Sequence, residues 1–314
     1  MDLPDNNVEL LKDTSRKAVN DLMAKLGFTY TPIARDYALE SRVREIVDKW
    51  DVKDLIHPYI PLGILAATVC YGYTMNKDTQ AQIALFVALF LALDTPSIME
   101  STAAVHVHKQ LCSSVPNKHD VMGHFLDCTR GMSEYFLPFA STSILTSVLQ
   151  FVNGCYLEQN AQEWVAQGPN PLSFIDYQRN LTGIAEAHAY FIWPKENFPE
   201  LTDYVQAIPD SSDICLFQCY VNDILSYYKE ELNGETGNYI DERAASTGKT
   251  TSEVLSDIVD ETTVVVERIR RILGEGASRE AWEVFMHGNI LYHIGTPRYR
   301  LQDVIDCEYL SFES

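Results

Sequence analysis

Residues 79–94 constrain this chain more than any other segment. They are apolar nearly all round, and residues 83–93 form an unbroken hydrophobic run of eleven. A helix without a polar stripe sits inside a ring of other helices. Eleven residues are also too few to cross a hydrocarbon core of roughly 30 Å, so the run reads as protein interior. The rest of the chain supplies the ring. Val8, Leu11, Val19, Leu22, Met23 and Leu26 recur at helical spacing, an amphipathic stretch covers residues 36–49, and a more apolar one covers 61–75. Further helices are expected over 120–152, 171–190, 211–232, 251–273 and 278–294.

Turn chemistry separates these stretches at Pro116-Asn117, Gly168-Pro169-Asn170-Pro171, Trp193-Pro194, Ile208-Pro209-Asp210, Asn233-Gly234 and Thr296-Pro297. Ser211-Ser212-Asp213 offers an N-cap to the helix that follows Pro209. Residues 262–266 are β-branched, yet Ile258, Glu261, Val265, Ile269 and Ile272 carry a helical stripe through them. No hairpin pattern and no glycine-rich strand-to-helix turn occurs, which argues against a dinucleotide or P-loop fold. No repeat or linker divides the chain. The expected fold is all-α, a single domain over residues 1–314 with ten or more helices.

Forty-four acidic and 24 basic side chains leave a formal net charge of −20. Such a surface repels duplex nucleic acid and anionic membranes, and it leaves multivalent cations as natural partners. An anionic substrate would then enter with metal ions or through a local basic patch. The seven cysteines are odd in number and scattered, without a CxxC pair or zinc spacing. They read as buried thiols of a reducing compartment. The acidic N-terminus has no apolar core of a secretory signal, so a cytoplasmic location without a membrane span is expected.

The chemistry concentrates in residues 222–230, Asn-Asp-Ile-Leu-Ser-Tyr-Tyr-Lys-Glu. On a helix, Asn222, Ser226 and Glu230 lie i, i+4, i+8, drifting by about 40° per step over roughly 12 Å. An amide oxygen, a hydroxyl and a carboxylate thus converge, a ligand set suited to a hard cation such as Mg2+. Lys229 lies about 20° from the direction of Asn222, which suits a site that also binds a polyanion. The competing reading is a solvated face. Against it, Ile214, Leu216, Phe217, Val221 and Leu225 make this helix mainly buried.

This nine-residue pattern resembles the second metal motif of class I terpene synthases, and it is similar to the form in fungal sesquiterpene cyclases of the trichodiene synthase type. Three features agree in order and spacing over about residues 60–300. Arg179, 43 residues before Asn222, matches the diphosphate-sensing arginine. Arg298-Tyr299 matches the C-terminal Arg-Tyr pair that also contacts diphosphate. Asp94 stands where the family's first, aspartate-rich motif belongs. The resemblance implies an all-α bundle around an apolar active-site cavity and an isoprenyl diphosphate substrate, farnesyl diphosphate first. It also implies Mg2+ as cofactor, three ions once diphosphate is bound, and a homodimer. Asp94, Asn222, Ser226 and Glu230 would then hold metal, while Arg179, Lys229, Arg298 and Tyr299 would serve the diphosphate.

Departure of diphosphate leaves an allylic cation, which a dry pocket protects from water and aromatic faces stabilise. Phe86, Val87 and Phe90 lie one to two turns before Asp94 and would face that cavity. Trp282, Phe285, Asn289 and Tyr292, before Pro297, would form another wall, with ordinary core packing as the competing role for each aromatic. His106 and His108 are read as structural, and Asp127/Arg130 and Arg268/Arg271 as solvated or ion-paired. Asp303 and Asp306 would orient the Arg-Tyr pair.

One departure from the family pattern stands out. Where Asp-Asp-x-x-Asp is usual, this chain has Asp94-Thr95-Pro96-Ser97-Ile98-Met99-Glu100. Pro96 either ends the helix or begins the next one. Glu100 would reach the site only if the backbone turns. The reduced motif resembles that of fungal humulene synthases, so a humulene-type product is expected. The rival reading is a non-catalytic prenyl- or protein-binding protein on a decayed cyclase scaffold.

Overall fold

The computed structural model describes residues 5–74, 76–102, 107–112, 119–160, 171–208, 213–235 and 237–309. The apolar segment forms one helix (Lys77–Leu93), started by Asn76, whose side-chain oxygen accepts from the N–H groups of Asp78 and Thr79. That cap satisfies two of the donors a helix start leaves open. From Ile83 to Leu93 every residue is buried except Phe90, which is half-buried. In chain order the helices are α1 (Asp5–Leu26), α2 (Tyr37–Val47), α3 (Lys53–Ile56), α4 (Ile60–Tyr71) and α5 (Lys77–Leu93). Then come α6 (Pro96–Ser101), α7 (Val107–Cys112), α8 (Val121–Gly131), α9 (Pro138–Asn160) and α10 (Pro171–Thr182). The last five are α11 (Ala185–Tyr190), α12 (Ile214–Asn233), α13 (Tyr239–Thr247), α14 (Thr251–Leu273) and α15 (Ala277–Gly295). Among the described residues there is no strand, and all seven cysteines are free, five of them buried.

The ring around α5 is made by α4, α8 and α2, and α4 is in turn covered by α15. Two glycines allow this. A Cβ on Gly63 of α4 would stand 2.1 Å from the Ala84 carbonyl oxygen on α5. One on Gly288 of α15 would stand 2.1 Å from the Val69 carbonyl oxygen on α4. Backbones therefore meet on both faces of α4, which explains how an apolar helix pair packs without voids. The stretch Lys53–Tyr71 is long and apolar enough to cross a membrane by length and composition alone. In this fold the stretch is half buried, its α4 part packed between α5 and α15 and residues 53–55, 57 and 58 exposed.

The helical periods predicted the longer elements closely, and the β-branched run 262–266 lies inside α14, which opens with a capping box between Thr250 and Glu253. Two expected helices are broken. The stretch 120–152 divides into α8 and α9, with Pro138 at the first position of α9, where its missing N–H is harmless. The stretch 171–190 divides at Gly183–Ile184, where Ile184 takes a left-handed backbone (φ 47). The short helices α3, α6, α7 and α13 have too few residues to show a period. The turn Asn233-Gly234 is a left-handed C-cap, with Gly234 at φ 65. Met75, Pro116-Asn117, Gly168-Pro169-Asn170, Pro209-Asp210, the Ser211-Ser212 cap and His106 lie outside the described residues. Asp213 forms no side-chain cap and instead pairs with Arg268 at 2.7 Å.

Substituting Gly288→Ala sets a methyl group against the α4 backbone, and overpacking of this kind destabilises by about 1–3 kcal/mol. Thermal unfolding followed by circular dichroism will show a lowered midpoint. An unchanged midpoint would mean that α15 slides away from α4 freely.

Candidate active site

The helices leave one end of α5 uncovered. There a cavity of about 1060 Å³ extends from Asp94 at the C-terminus of α5 down to Ala66 and Cys70 of α4. Helices α4, α5, α9, α10, α12 and α15 contribute walls. Of the residues singled out from the sequence, Asp94, Arg179, Asn222, Ser226, Lys229, Glu230, Arg298 and Tyr299 all line it. So do Val87, Phe90, Phe285, Asn289 and Tyr292. Most of the polar and ionic groups come from α10, α12 and the C-terminal turn, while α5 and α15 supply Phe90, Phe285 and Tyr292, and Tyr71, Tyr239 and Tyr299 come from α4, α13 and the C-terminal turn.

On α12, the Asn222 Oδ1 accepts from the Arg179 guanidinium at 3.0 Å. Ser226 is buried, and its Oγ has no well-formed hydrogen bond in the structure. Burial raises the Glu230 carboxyl above the ordinary glutamate value, against the pull of Ser226 and Lys229. A buried hydroxyl beside a carboxylate, with an amide oxygen on the same helix face, forms an oxygen donor set fitted to a hard divalent cation. Lys229 Nζ stands 2.9 Å from Glu235 and 3.9 Å from Glu230. The Glu235 contact was not anticipated, because it comes from the turn after the helix.

Arg179 reaches from α10 to α12. Its Nε donates to Asp223 Oδ1 at 2.8 Å, and a terminal nitrogen donates to the Cys219 carbonyl at 3.2 Å. Burial opposes its charge, but Asp223, Cys219 and Glu230 together outweigh burial and favour the charged guanidinium. Asp223 itself is pushed up to about 7 by burial, and its Oδ2 has no partner. Sequence reading assigned Asp223 no role, although it sits inside the motif. Its side chain also lines the cavity and pairs with Arg179, the guanidinium that Asn222 contacts too.

Asp94 follows the last residue of α5, and Thr95 then lets Pro96 begin α6. Glu100 is exposed on α6 and does not line the cavity, so the backbone turn fails to deliver it. Arg298 stands 3.4 Å from Asp94. Burial raises the Asp94 carboxyl, while Arg298, Lys229 and Arg179 draw it back. Glu158 of α9, also on the cavity wall, is pushed up to about 7 by burial and by the charge of Asp94. Asp303 pairs with Arg300 at 2.8 Å, so its expected role beside the Arg-Tyr pair is corrected: the left-handed Arg300 takes it. Asp127 and Arg130 form the expected ion pair at 2.6 Å.

The inner wall corrects two expected pocket residues, Phe86 and Trp282. Phe86 is fully buried behind the cavity, tilted against Phe125 and edge-on to Phe191, because it points to the α8 side of α5. Phe90, one turn on, does line the cavity and packs edge-on against Phe151. Trp282 is likewise core, against Phe217 and Phe285. Two wall residues, His188 and His293, escaped sequence reading. His188 lies among Phe86, Phe90 and Phe191, with Nδ1 3.3 Å from the Ile184 carbonyl. His293 touches Asn222 and the Asn289 carbonyl. Burial pulls both imidazoles down to about 4. The only available signal was the i, i+4 spacing of Asn289 and His293 on the helix already expected to form a wall.

Comparison with known proteins shows what the whole chain is similar to. A family model described as trichodiene synthase (TRI5) matches residues 24–311. Monoterpene synthase 25 of Postia placenta is 38% identical over 97% of this chain and 90% of its own length. Terpene synthase 29 of the same fungus is 35% identical over 95% of this chain and 87% of its own. Among solved structures, the linalool/nerolidol synthase of Streptomyces clavuligerus superposes with a TM-score of 0.61. That match covers 84% of this chain and 96% of the other at 14% identity, a likeness of fold.

Because His188 is held neutral in the fold, the unfolded chain takes up a proton that the folded chain refuses once pH falls below about 6.5. Its contribution to stability is complete above that value and is lost progressively toward about pH 4, by up to about 3 kcal/mol. The variant His188→Gln will therefore lose less stability than the wild type between those limits, measured by urea unfolding at each pH. Parallel pH profiles would show that burial does not hold this imidazole neutral.

Proposed function

The chain belongs to the trichodiene synthase family of terpene synthases, and from that premise we propose that it is a Mg2+-dependent cyclase of farnesyl diphosphate. Family membership implies a divalent metal and an isoprenyl diphosphate substrate. One observation supports an isoprenyl diphosphate at this site, farnesyl being the chain that the resemblance implies: an oxygen-donor face and three cationic side chains, Arg179, Lys229 and Arg298, line the same cavity as an aromatic wall. An amphiphile with an anionic head and a polyunsaturated tail matches both ends.

Asn222, Ser226 and Glu230 would hold metal on one side and Asp94 on the other, with three ions once diphosphate is bound, as the resemblance implies. When bound, the divalent ions supply Lewis-acid stabilisation of the departing diphosphate. Arg179 presents its charge from a fixed position, tied down by Asp223 and the Cys219 carbonyl. A preorganised cation needs little reorganisation as charge develops on the leaving group. Lys229 exchanges Glu235 for phosphate oxygens, and Arg298 with Tyr299 contributes from the C-terminal side. Phe90, Phe285 and Tyr292 then offer ring faces to the allylic cation and keep water from it. Ring closure and proton loss follow within that wall.

A second reading has its own support: a relative of 38% identity is named a monoterpene synthase, which favours the ten-carbon geranyl diphosphate. The Postia relatives lend no support to a humulene-type product, and the product forms no part of this proposal.

Incubation with farnesyl or geranyl diphosphate, with and without Mg2+, followed by gas chromatography with mass detection, decides between the chain lengths. A Mg2+-dependent fifteen-carbon hydrocarbon or alcohol, more abundant than any ten-carbon product, is expected. The variants Asn222→Ala and Glu230→Ala should each lower turnover by about 100-fold or more while remaining folded. Diphosphate release from neither substrate would refute the cyclase, and preferential turnover of geranyl diphosphate would establish the second reading.

A further inference from the structure

We propose that His293 is a positioning residue that fixes the Asn222 amide so that its oxygen, not its nitrogen, is offered to the cation. The inference rests on the reading of Asn222 as a metal ligand. Amide oxygen and nitrogen are told apart by their hydrogen-bond partners. On one side of Asn222 a terminal nitrogen of Arg179 lies 3.0 Å away. A guanidinium only donates, so the atom facing it is Oδ1. On the other side the Nδ2 lies 3.2 Å from His293 Nε2. An amide NH2 also only donates, so Nε2 accepts and carries no proton. The second ring nitrogen, Nδ1, is 2.7 Å from the Asn289 carbonyl oxygen, which only accepts. The proton of the neutral ring is therefore on Nδ1. This one tautomer satisfies all three contacts, and any other sets N–H against N–H at Asn222.

Without the Nε2 acceptor, the amide loses the contact that holds its NH2 on the His293 side and keeps Oδ1 on the other. A partner of this kind, behind a ligand, orients it and tunes its affinity for metal. His293 also has a packing role, since its ring centroid lies 4.4 Å from that of Tyr299. The test must separate the two. His293→Phe keeps a flat ring against Tyr299 and removes the acceptor. His293→Gln gives up the ring and keeps an acceptor oxygen.

Calorimetric titration of the full chain with Mg2+ and inorganic pyrophosphate reads the effect without turnover. His293→Phe should weaken binding about 10- to 100-fold and His293→Gln by less than about threefold. Equal weakening by both, weakening by Gln alone, or no effect of Phe would overturn the inference. Should the Phe variant not fold, nitrogen-15 NMR of the histidine-labelled wild type decides. The His293 signals, assigned by their loss in the Gln variant, should show a protonated Nδ1 and a bare Nε2 in the presence of Mg2+ and pyrophosphate. A protonated Nε2 would overturn the inference. Wild-type protein that binds no Mg2+-pyrophosphate would overturn the ligand reading of Asn222 as well.

Discussion

A helix with no polar side must be enclosed, and the architecture of this protein follows from enclosing α5. Its neighbours approach to backbone contact where glycine permits, at Gly63 and, one layer further out, at Gly288. Enclosure stops where α5 stops. At Asp94 the chain turns polar, the ring of helices opens, and the cavity begins. The same helix therefore supplies the apolar wall through Val87 and Phe90 and the first acidic group of the rim through Asp94. The carbonyl end of a helix also favours cations, so the rim is electrostatically prepared before any ligand arrives.

The second element of the site works by the opposite logic. Arg179 is a permanent charge inside the protein, and an unpaired charge there is expensive. Asp223, Asn222 and the Cys219 carbonyl surround it from α12, so α10 and α12 are tied together through a charged group. This ties the position of the cation to the helix that carries the oxygen donors. The neighbouring break touches the same wall through Gly183 and continues into Ile184, a β-branched residue in left-handed backbone. Strained residues of this sort persist only where surrounding structure holds them.

Much of this is legible in the residues themselves. The 3.6-residue period marks α12 and α14 well, because each has one long face to hide, and α5 is marked instead by its unbroken apolar run. The donor spacing 222, 226, 230 is intrahelical and needs no tertiary knowledge. Phe86 shows the limit. Periodicity says that it shares a helix with Val87 and Phe90, but only the position of α8 tells which side of a fully buried helix faces the cavity. His293 and Asp223 show another. Their meaning lies in contacts with Asn222, 71 residues away, and with Arg179, 44 residues away, and no local pattern encodes such pairings. Glu235 and the short helix α6 belong to turns, where a few residues decide the path of the chain.

The aromatic lining is two rings deep. Phe90 and His188 meet the cavity with Phe151 behind Phe90, and Phe86 braces the next layer against Phe125 and Phe191. Rings locked edge to face cannot tilt singly, since each is the support of its neighbour. The contour presented to a reacting chain is thus inherited from residues that never touch it. Such a wall behaves as a rigid mould, and its shape can be recast from behind without altering a single surface group.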